Sequence, residues 1–194
     1  MAKKEIKPKK PKSDKPSPLI AIRKEINEAI LTVTCKDNGD YIDLIIDLDN
    51  FDIKSYQRNR SAGGHTYDPL SSYKKELHKI LDPAIRKYIP IAYTGHCYFT
   101  LIRYFALIQS DRTKVKLAAA KTNEMRPAKT PDNDNIEKII YDVLNGVVYN
   151  DDSQIVENTT KKFYNQDIDK HRTVMEIKIY KEEIQYVVKK VKKI

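Results

Sequence analysis

The stretch from Arg126 to Glu157, RPAKTPDNDNIEKIIYDVLNGVVYNDDSQIVE, carries the strongest pattern in this chain. It combines a basic approach, an acidic helix start, an amphipathic helix and a second acidic pair. Gly146 lies where helices commonly end, and the segment before it is predicted to be a helix that starts beside Asp132. The apolar residues of this segment repeat at helical spacing and form one stripe, which consists of Ile136, Ile139, Ile140, Val143 and Leu144.

A second face of the predicted helix is charged. Asp134, Lys138 and Asp142 are each four residues apart, so they lie in one row on the helix surface. This row is separate from the apolar stripe. The helix therefore buries its isoleucines and presents a carboxylate, an ammonium group and a second carboxylate to solvent.

A hairpin is predicted to follow the helix. Val147–Tyr149 is interpreted as a short strand and residues 155–164 as its partner, with turn-forming residues between them. The tip of this hairpin carries Asp151 and Asp152. We hypothesise that the tip folds back and brings one of these aspartates beside the acidic start of the helix, although sequence spacing does not fix its position.

The pattern leaves two interpretations of the acidic residues open. Aspartates before a helix are commonly caps, Asp–Lys pairs four residues apart are commonly surface ion pairs, and Asp-Asp-Ser is commonly a turn. Alternatively, such carboxylates bind a hard divalent cation, which polarises a phosphodiester and activates water. A calcium-binding EF-hand is excluded, because positions five and six counted from Asp132 hold Ile136 and Glu137.

The ordered motif resembles the signature of the RusA-type Holliday junction resolvases. That signature has an Asp-x-Asp-Asn start, a lysine four residues after the second aspartate, a further helical aspartate and an Asp-Asp-Ser/Ala-Gln turn. The matching residues, in order, are Asp132, Asp134, Asn135, Lys138, Asp142, Asp151, Asp152, Ser153 and Gln154. The resemblance extends more weakly from about Ile42 to Tyr180.

The resemblance implies an α+β single domain, with a mixed β-sheet and packed helices, that acts as a homodimer. The implied reaction is magnesium-dependent hydrolysis of phosphodiesters, with Mn²⁺ as a substitute, which makes paired nicks in four-way DNA junctions during recombination or repair. We expect no membrane partner and no small-molecule cofactor. Three alternatives remain: a non-catalytic junction-binding protein of the same fold, a metal-dependent nuclease for other branched DNA, and a structural protein.

The resemblance also implies roles for individual residues. The residues expected to hold the metal and direct the attacking water are Asp132, Asp134 and Asp152. Lys138 would stabilise the negatively charged transition state, and Asp142 would pair with Lys138 and set its position. Asp151 is an alternative to its neighbour, because either member of the pair could face the metal. The expected contacts with DNA phosphates are Arg58, Arg60, Arg126, Lys129 and Thr130.

Composition and charge suit a DNA partner without proving one. The 194 residues carry a net charge of +9, and the pI is near 9.3, as in proteins that bind polyanions. Arg58 and Arg60 precede Gly63 and Gly64, where the backbone can approach a phosphate closely; a solvated loop is the alternative. The chain has two cysteines, no Cys-x-x-Cys pair and no membrane-length apolar run, so we expect a cytoplasmic location.

The chain divides into three expected segments. Residues 1–18 are rich in lysine and proline and are predicted to be a disordered arm, which either binds DNA phosphates or serves only as a solubilising tail. Residues 19–180 form the RusA-like domain, and residues 181–194 form a basic tail or short helix. Within the domain, helices are predicted at 19–30, 71–89 and 112–123, and strands at 31–35, 41–48, 97–108 and 173–180.

Overall fold

The structure is a computed structural model that describes Lys24 and residues 28–181, without the side chain of Ala62. The predicted arm at 1–18, most of the predicted helix at 19–30 and the predicted tail beyond residue 181 lie outside the described residues. Each described helix is too short or too polar to cross a lipid bilayer.

A five-stranded mixed sheet forms the centre of the molecule. Its strands are β1 (Ile30–Asp37), β2 (Tyr41–Asp49), β5 (Cys97–Phe105), β6 (Ile155–Tyr164) and β7 (Arg172–Tyr180). Their spatial order is β1-β2-β7-β5-β6. Neighbouring strands are antiparallel except for β5 and β6, which are parallel. A separate hairpin consists of β3 (Arg60–Ala62) and β4 (His65–Tyr67).

The two longer helices share one hydrophobic core with the sheet. The helices are α1 (Ser71–Ile85), α2 (Lys114–Lys121) and α3 (Asn133–Leu144). The apolar stripe predicted for α3 is buried in this core, together with the inward-facing residues of α1 and of the strands. The short α2 belongs to a smaller cluster, in which Ala120 packs with Leu107 and Tyr164.

Most of the predicted elements are present, with shifted ends. The predicted β1–β2 hairpin is confirmed, and its turn contains Gly39 at a φ of +88°, a conformation that glycine adopts without strain. The strand predicted at 97–108 is an interior strand, as expected, but ends at Phe105. Helix α1 continues past Pro83 and ends at Ile85, four residues before the predicted end, and α2 is shorter than predicted at both ends.

The hairpin predicted after α3 is wrong. Val147–Tyr149 does not form a strand; the amides of Val147 and Val148 donate to the Leu144 carbonyl, and the segment continues as a buried turn. These apolar residues fill the core below the end of α3, which explains their strand-like composition. Strand β6 instead lies parallel to β5, so α3 is the crossover helix of a β5–α3–β6 unit.

Candidate active site

Asp132 occupies the N-cap position of α3, but its carboxylate does not cap the helix. The Asp132 carbonyl accepts a hydrogen bond from the Ile136 amide at 3.3 Å, whereas the side chain makes no capping bond. The carboxylate is exposed and, among the described residues, has no hydrogen bond or ion pair. The structure therefore gives this carboxylate no local structural role.

One turn into α3, Asp134 and Lys138 form the ion pair that their spacing predicts. The Lys138 Nζ lies 3.4 Å from the Asp134 Oδ2, and the two side chains are 54% and 63% exposed. The same Nζ lies 5.5 Å from the centroid of the Tyr56 ring. Because an exposed pair of this kind contributes about 0.5 kcal/mol, both groups can exchange this partner for another at little cost.

Asp142 does not pair with Lys138, so that prediction is wrong. Its Oδ2 lies 2.9 Å from the Nζ of Lys74 on α1, which is also 2.5 Å from the Asp68 Oδ2. Partial burial alone would lower the pKa of Lys74, but the hydrogen bonds to Asp68 and Asp142 outweigh it and raise that pKa. Asp142 thus forms a structural ion pair, as expected, but its partner is Lys74 because this turn of α3 faces α1.

The two adjacent aspartates after α3 have different roles. Asp151 caps the 3-10 turn Asp152–Gln154, since its carboxylate accepts a hydrogen bond from the Ser153 amide at 2.9 Å, which lowers the pKa of Asp151. The carboxylate of Asp152 is exposed and has no hydrogen-bond or ion-pair partner in the described part of the chain. Of the two neighbours, Asp152 is the one left available for chemistry.

Gln154 fixes the position of this turn. Its side-chain oxygen accepts hydrogen bonds from the amides of Asn150 and Asp151, and its Nε2 donates to the carbonyls of Tyr93 and Gly95 at 2.9 and 2.7 Å. The structural importance of Gln154 was not inferred from the sequence. The Asp-x-x-Gln spacing of a capping box was the available signal.

The two acidic groups lie at opposite ends of α3. At the start of the helix, the Nζ of Lys162 on β6 donates to the carbonyls of Lys129 and Pro131, both at 3.1 Å. Asp152 lies at the other end, near Tyr141 and Tyr149. Burial raises the pKa of both tyrosines, and the nearby negative charge of Asp152 raises both pKa values further. The chain thus holds the residues just before Asp132 at the far end of β6 from Asp152.

The separation is too large for one metal ion. Helix α3 has 12 residues, which at about 1.5 Å per residue is about 18 Å. The seven steps from Ile155 to Lys162 span about 23 Å of strand, whereas ligand oxygens lie about 2.0–2.6 Å from Mg²⁺ or Ca²⁺. Among the described residues, no three His, Cys, Asp or Glu side chains form a group that could hold a metal. The predicted seat of Asp132, Asp134 and Asp152 is therefore not formed within one chain.

A basic loop lies beside the start of α3. The Tyr56 amide donates to the carbonyl of Asn135 at 2.7 Å, which attaches the loop to the first turn of the helix. Arg58 is exposed without a partner in the described residues, and the exposed Arg60 donates to Gln57 at 3.3 Å. A groove of about 350 Å³ separates this loop from the helices, and its lining residues are Tyr56, Asn59, Asp68, Lys74, Lys138 and Asp142.

The second predicted DNA-binding segment packs against β6. The guanidinium of Arg126 lies 3.8 Å from the centroid of the Phe163 ring and donates to the Lys162 carbonyl at 3.4 Å. Lys129 is 69% exposed, with its Nζ 3.5 Å from Asp111. Thr130 is exposed, and its hydroxyl has no partner in the described residues. Arg126 and Lys129 place positive charge on the segment before α3, and Lys162 adds to it.

Comparison with known proteins identifies the family. The family model described as endodeoxyribonuclease RusA matches residues 50–180, which are about two thirds of the chain and include every acidic residue discussed above. The uncharacterized protein YqaN of Bacillus subtilis (strain 168) is 40% identical over 57 residues. That match covers 29% of this chain and 40% of YqaN, so the chain spans less than half the length of that relative. The family match shows that this chain belongs to the RusA endodeoxyribonucleases.

Proposed function

We propose that this protein is a Holliday junction resolvase that hydrolyses phosphodiesters in four-way DNA junctions and makes paired nicks during recombination or repair. One observation carries the proposal: within the family-matched segment, the carboxylates of Asp132 and Asp152 are exposed and have no structural partner in the described residues. An aspartate that only caps a helix or closes a turn accepts hydrogen bonds from backbone amides through its carboxylate, as Asp151 does.

The basic residues supply the means to hold DNA at this site. Arg58 and Arg60 lie on the loop that is attached to the first turn of α3, and Arg126 and Lys129 lie on the segment that precedes this helix. We assign contacts with DNA phosphates to these four side chains and to the hydroxyl of Thr130. Their positive charge offsets the repulsion between a phosphate and the acidic residues.

Lys138 is the group best placed to act on the reacting phosphate. Its ammonium is 54% exposed, its pair with Asp134 is weak, and it borders the groove between the basic loop and the helices. A positive charge that is fixed where negative charge develops stabilises a transition state more than a ground state. We assign this role to Lys138.

The family chemistry makes a divalent cation, Mg²⁺ or Mn²⁺, the expected cofactor, with Asp132, Asp134 and Asp152 as its ligands. One chain does not assemble these three carboxylates, as shown above. The positions of the metal ligands therefore do not follow from one chain, whereas the roles of the other residues do.

The test is incubation with an end-labelled synthetic four-way junction, with and without Mg²⁺, beside a linear duplex of the same arms. We expect paired nicks in the junction that need Mg²⁺. Asp132→Asn should abolish nicking and leave junction binding intact, whereas Asp167→Asn, which alters an exposed carboxylate in another turn, should nick normally.

Three results would contradict the proposal in different ways. Tight junction binding without nicking would identify a non-catalytic junction-binding protein. Faster cleavage of flaps or other branched DNA would show that the substrate is not the four-way junction. Equal binding and cleavage of junction and duplex would show that the protein has no preference for branched DNA.

A further inference from the structure

Helix α2 and its flanking residues carry much of the positive charge of this protein. From Asp111 to Lys129 the chain has six lysine and arginine residues and two acidic residues, a net charge of +4, whereas the whole chain carries +9. The helix itself, KVKLAAAK, has no acidic residue. The DNA contacts proposed above use Arg126, Lys129 and Thr130, which follow α2, and leave the charge of the helix without a role.

The inner face of α2 packs at one end of the central sheet. Ala120 is buried against Leu107 and Tyr164, and Leu117 packs against the same cluster. Tyr164 is the last residue of β6, and Leu107 lies two residues after the end of β5. This apolar contact fixes the helix at the end of the sheet where Lys162 binds the segment before α3.

An acidic residue joins α2 to the segment that leads into α3. The Asp111 carboxylate lies 2.7 Å from the Nζ of Lys116 and 3.5 Å from the Nζ of Lys129. The side chain of Asp111 is only 15% exposed, so these two contacts face the protein. Lys129 is three residues before Asp132. Helix α2 therefore lies beside the basic segment that is already assigned to DNA.

The outer face of α2 is exposed and positively charged. Lys114, Ala118 and Lys121 lie in one row, because they are four and three residues apart on a helix, and all three are exposed. Within residues 28–181, neither of these lysines has a hydrogen-bond or ion-pair partner. Val115 beside the row is 80% exposed. Two unpaired ammonium groups, about 10 Å apart along the helix, thus flank a surface of small side chains.

The chemistry of this face fits DNA better than a protein. Protein interfaces are typically depleted in lysine and enriched in aromatic residues, whereas this row consists of two lysines and an alanine. Lysines bind phosphates as point charges. The eight residues of α2 span about 12 Å, and the major groove of B-DNA is about 12 Å wide and admits an α-helix.

We propose that α2 binds in the major groove of one DNA arm beside the reacting phosphate. Lys114 and Lys121 contact the phosphates at the two rims of the groove, and Val115 and Ala118 face the base pairs. This inference rests on the proposed function, since it takes DNA as the partner. It adds a groove contact to the phosphate contacts of the segment that follows α2, and so fixes where along the arm the nick is made.

The first test removes the two unpaired ammonium groups. The double variant Lys114→Ala with Lys121→Ala keeps the helix, because alanine has the highest helix propensity. We expect its affinity for a synthetic four-way junction to fall about tenfold, and the slope of log affinity against log salt to become shallower by about two. Fluorescence anisotropy over a series of KCl concentrations measures both. Wild-type affinity and slope in this variant would overturn the proposal.

Lys116→Ala is the matched control within the same helix. It also removes one positive charge, but this ammonium group is bound to Asp111 on the side that faces the protein. We therefore expect a wild-type slope. A slope that falls as much per charge in Lys116→Ala as in the double variant would show a general effect of net charge, and would overturn the contact through the outer face.

Protection of guanine N7 from dimethyl sulfate tests the position in the groove, because N7 lies in the major groove. Without Mg²⁺, wild-type protein should protect guanines in the arm next to each nick site. Val115→Glu, which places a carboxylate against the base pairs, should lose this protection at saturating protein. Ile91→Glu adds the same group to another exposed apolar position and should keep it. Absence of protection by the wild type, or equal protection by Val115→Glu, would exclude the groove.

The outcomes separate this inference from the proposed function. Wild-type protein that binds junctions without nicking them, together with weak binding by the α2 variants, would refute the reaction and support the α2 contact. Normal nicking together with wild-type binding by the α2 variants would refute the α2 contact alone. A wild-type protein that binds no DNA would refute both.

Discussion

Carboxylates that are close in the sequence of this protein differ in their surroundings. The hydrogen bonds and ion pairs around each one determine whether it is available for a reaction. Asp151 and Asp152 are adjacent and both exposed, yet only Asp151 accepts a bond from a backbone amide of its turn. Asp132 and Asp142 lie toward opposite ends of α3, yet within residues 28–181 only Asp142 has an ion-pair partner, Lys74. A carboxylate without a structural partner can take part in a reaction without loss of folding stability, because no hydrogen bond or ion pair has to break.

This difference predicts unequal effects of the same substitution at adjacent positions. Asp152→Asn removes an unpartnered carboxylate and should reduce nicking at least a hundredfold without changing the urea midpoint of unfolding. Asp151→Asn keeps an oxygen that can accept the Ser153 amide, so it should keep most of the activity. Single-turnover nicking rates of both variants measure this. Equal losses in the two variants would show that both aspartates take part in the reaction.

Lys138 is predicted to act on the chemical step more than on binding. Lys138→Ala should lower the single-turnover rate at saturating enzyme by a hundredfold or more, since removal of one group that stabilises transition-state charge costs about 3 kcal/mol. Junction affinity in a gel-shift titration should change less than threefold. Lys87→Ala, which removes an exposed lysine elsewhere, is the control. A loss of affinity that accounts for the whole rate effect would make Lys138 a binding residue.

At the scale of elements, the crossover unit β5–α3–β6 organises the site. Helix α3 is held from below by its buried stripe, at its start by Lys162, and on its exposed side by the ion pair between Asp142 and Lys74. The turn that follows is held by the four hydrogen bonds of Gln154. The acidic residues therefore stand on rigid elements, which keeps them in register for a reaction.

The anchoring of the turn can be tested without touching a carboxylate. Gln154→Ala removes four hydrogen bonds and lets the turn move, so we expect the nicking rate to fall 10–100-fold, as for other groups that orient ligands. Junction binding should be nearly unchanged, because the basic residues lie elsewhere. Gln154→Glu keeps the acceptor for Asn150 and Asp151 but sets a carboxylate oxygen against the carbonyls of Tyr93 and Gly95, so its loss should be at least as large. A wild-type rate for Gln154→Ala would mean that the turn needs no anchor.

At the scale of the whole molecule, the two basic segments and the acidic start of α3 lie at the same end of the fold. The chain carries a net charge of +9, and the basic loop of Arg58 meets the start of α3 through the bond between Tyr56 and Asn135. The segment of Arg126 packs on the end of β6 beside the same helix start. We expect DNA that is bound by these two segments to pass over Asp132 and Lys138.

Salt dependence measures the contribution of the loop. The double variant Arg58→Ala with Arg60→Ala should bind junctions more weakly, and the slope of log affinity against log salt should become shallower by about one for each lost phosphate contact. The matched control is Lys87→Ala with Lys75→Ala, which removes two exposed charges from the α1 region. An unchanged slope in the arginine variant would remove the loop from the DNA interface.

The local features of this protein follow directly from its amino-acid pattern. The stripe of α3 follows from which side chains must leave water, so periodicity predicts it. The ordered motif from Asp132 to Gln154 identified the family. Arg58 and Arg60 are exposed, as predicted for a basic loop, but Arg60–Ala62 forms strand β3 of a small hairpin. The homodimer, the DNA contacts and the metal remain predictions.

The positions of the two acidic groups relative to each other follow from the fold and not from the local sequence. A local pattern marks a strand but not its hydrogen-bond partner, so β6 was predicted as half of a hairpin when it pairs in parallel with β5. A parallel crossover places the segments before and after its helix at opposite ends of the sheet. For that physical reason Asp132 and Asp152, which are twenty residues apart in one motif, are separated by the length of α3.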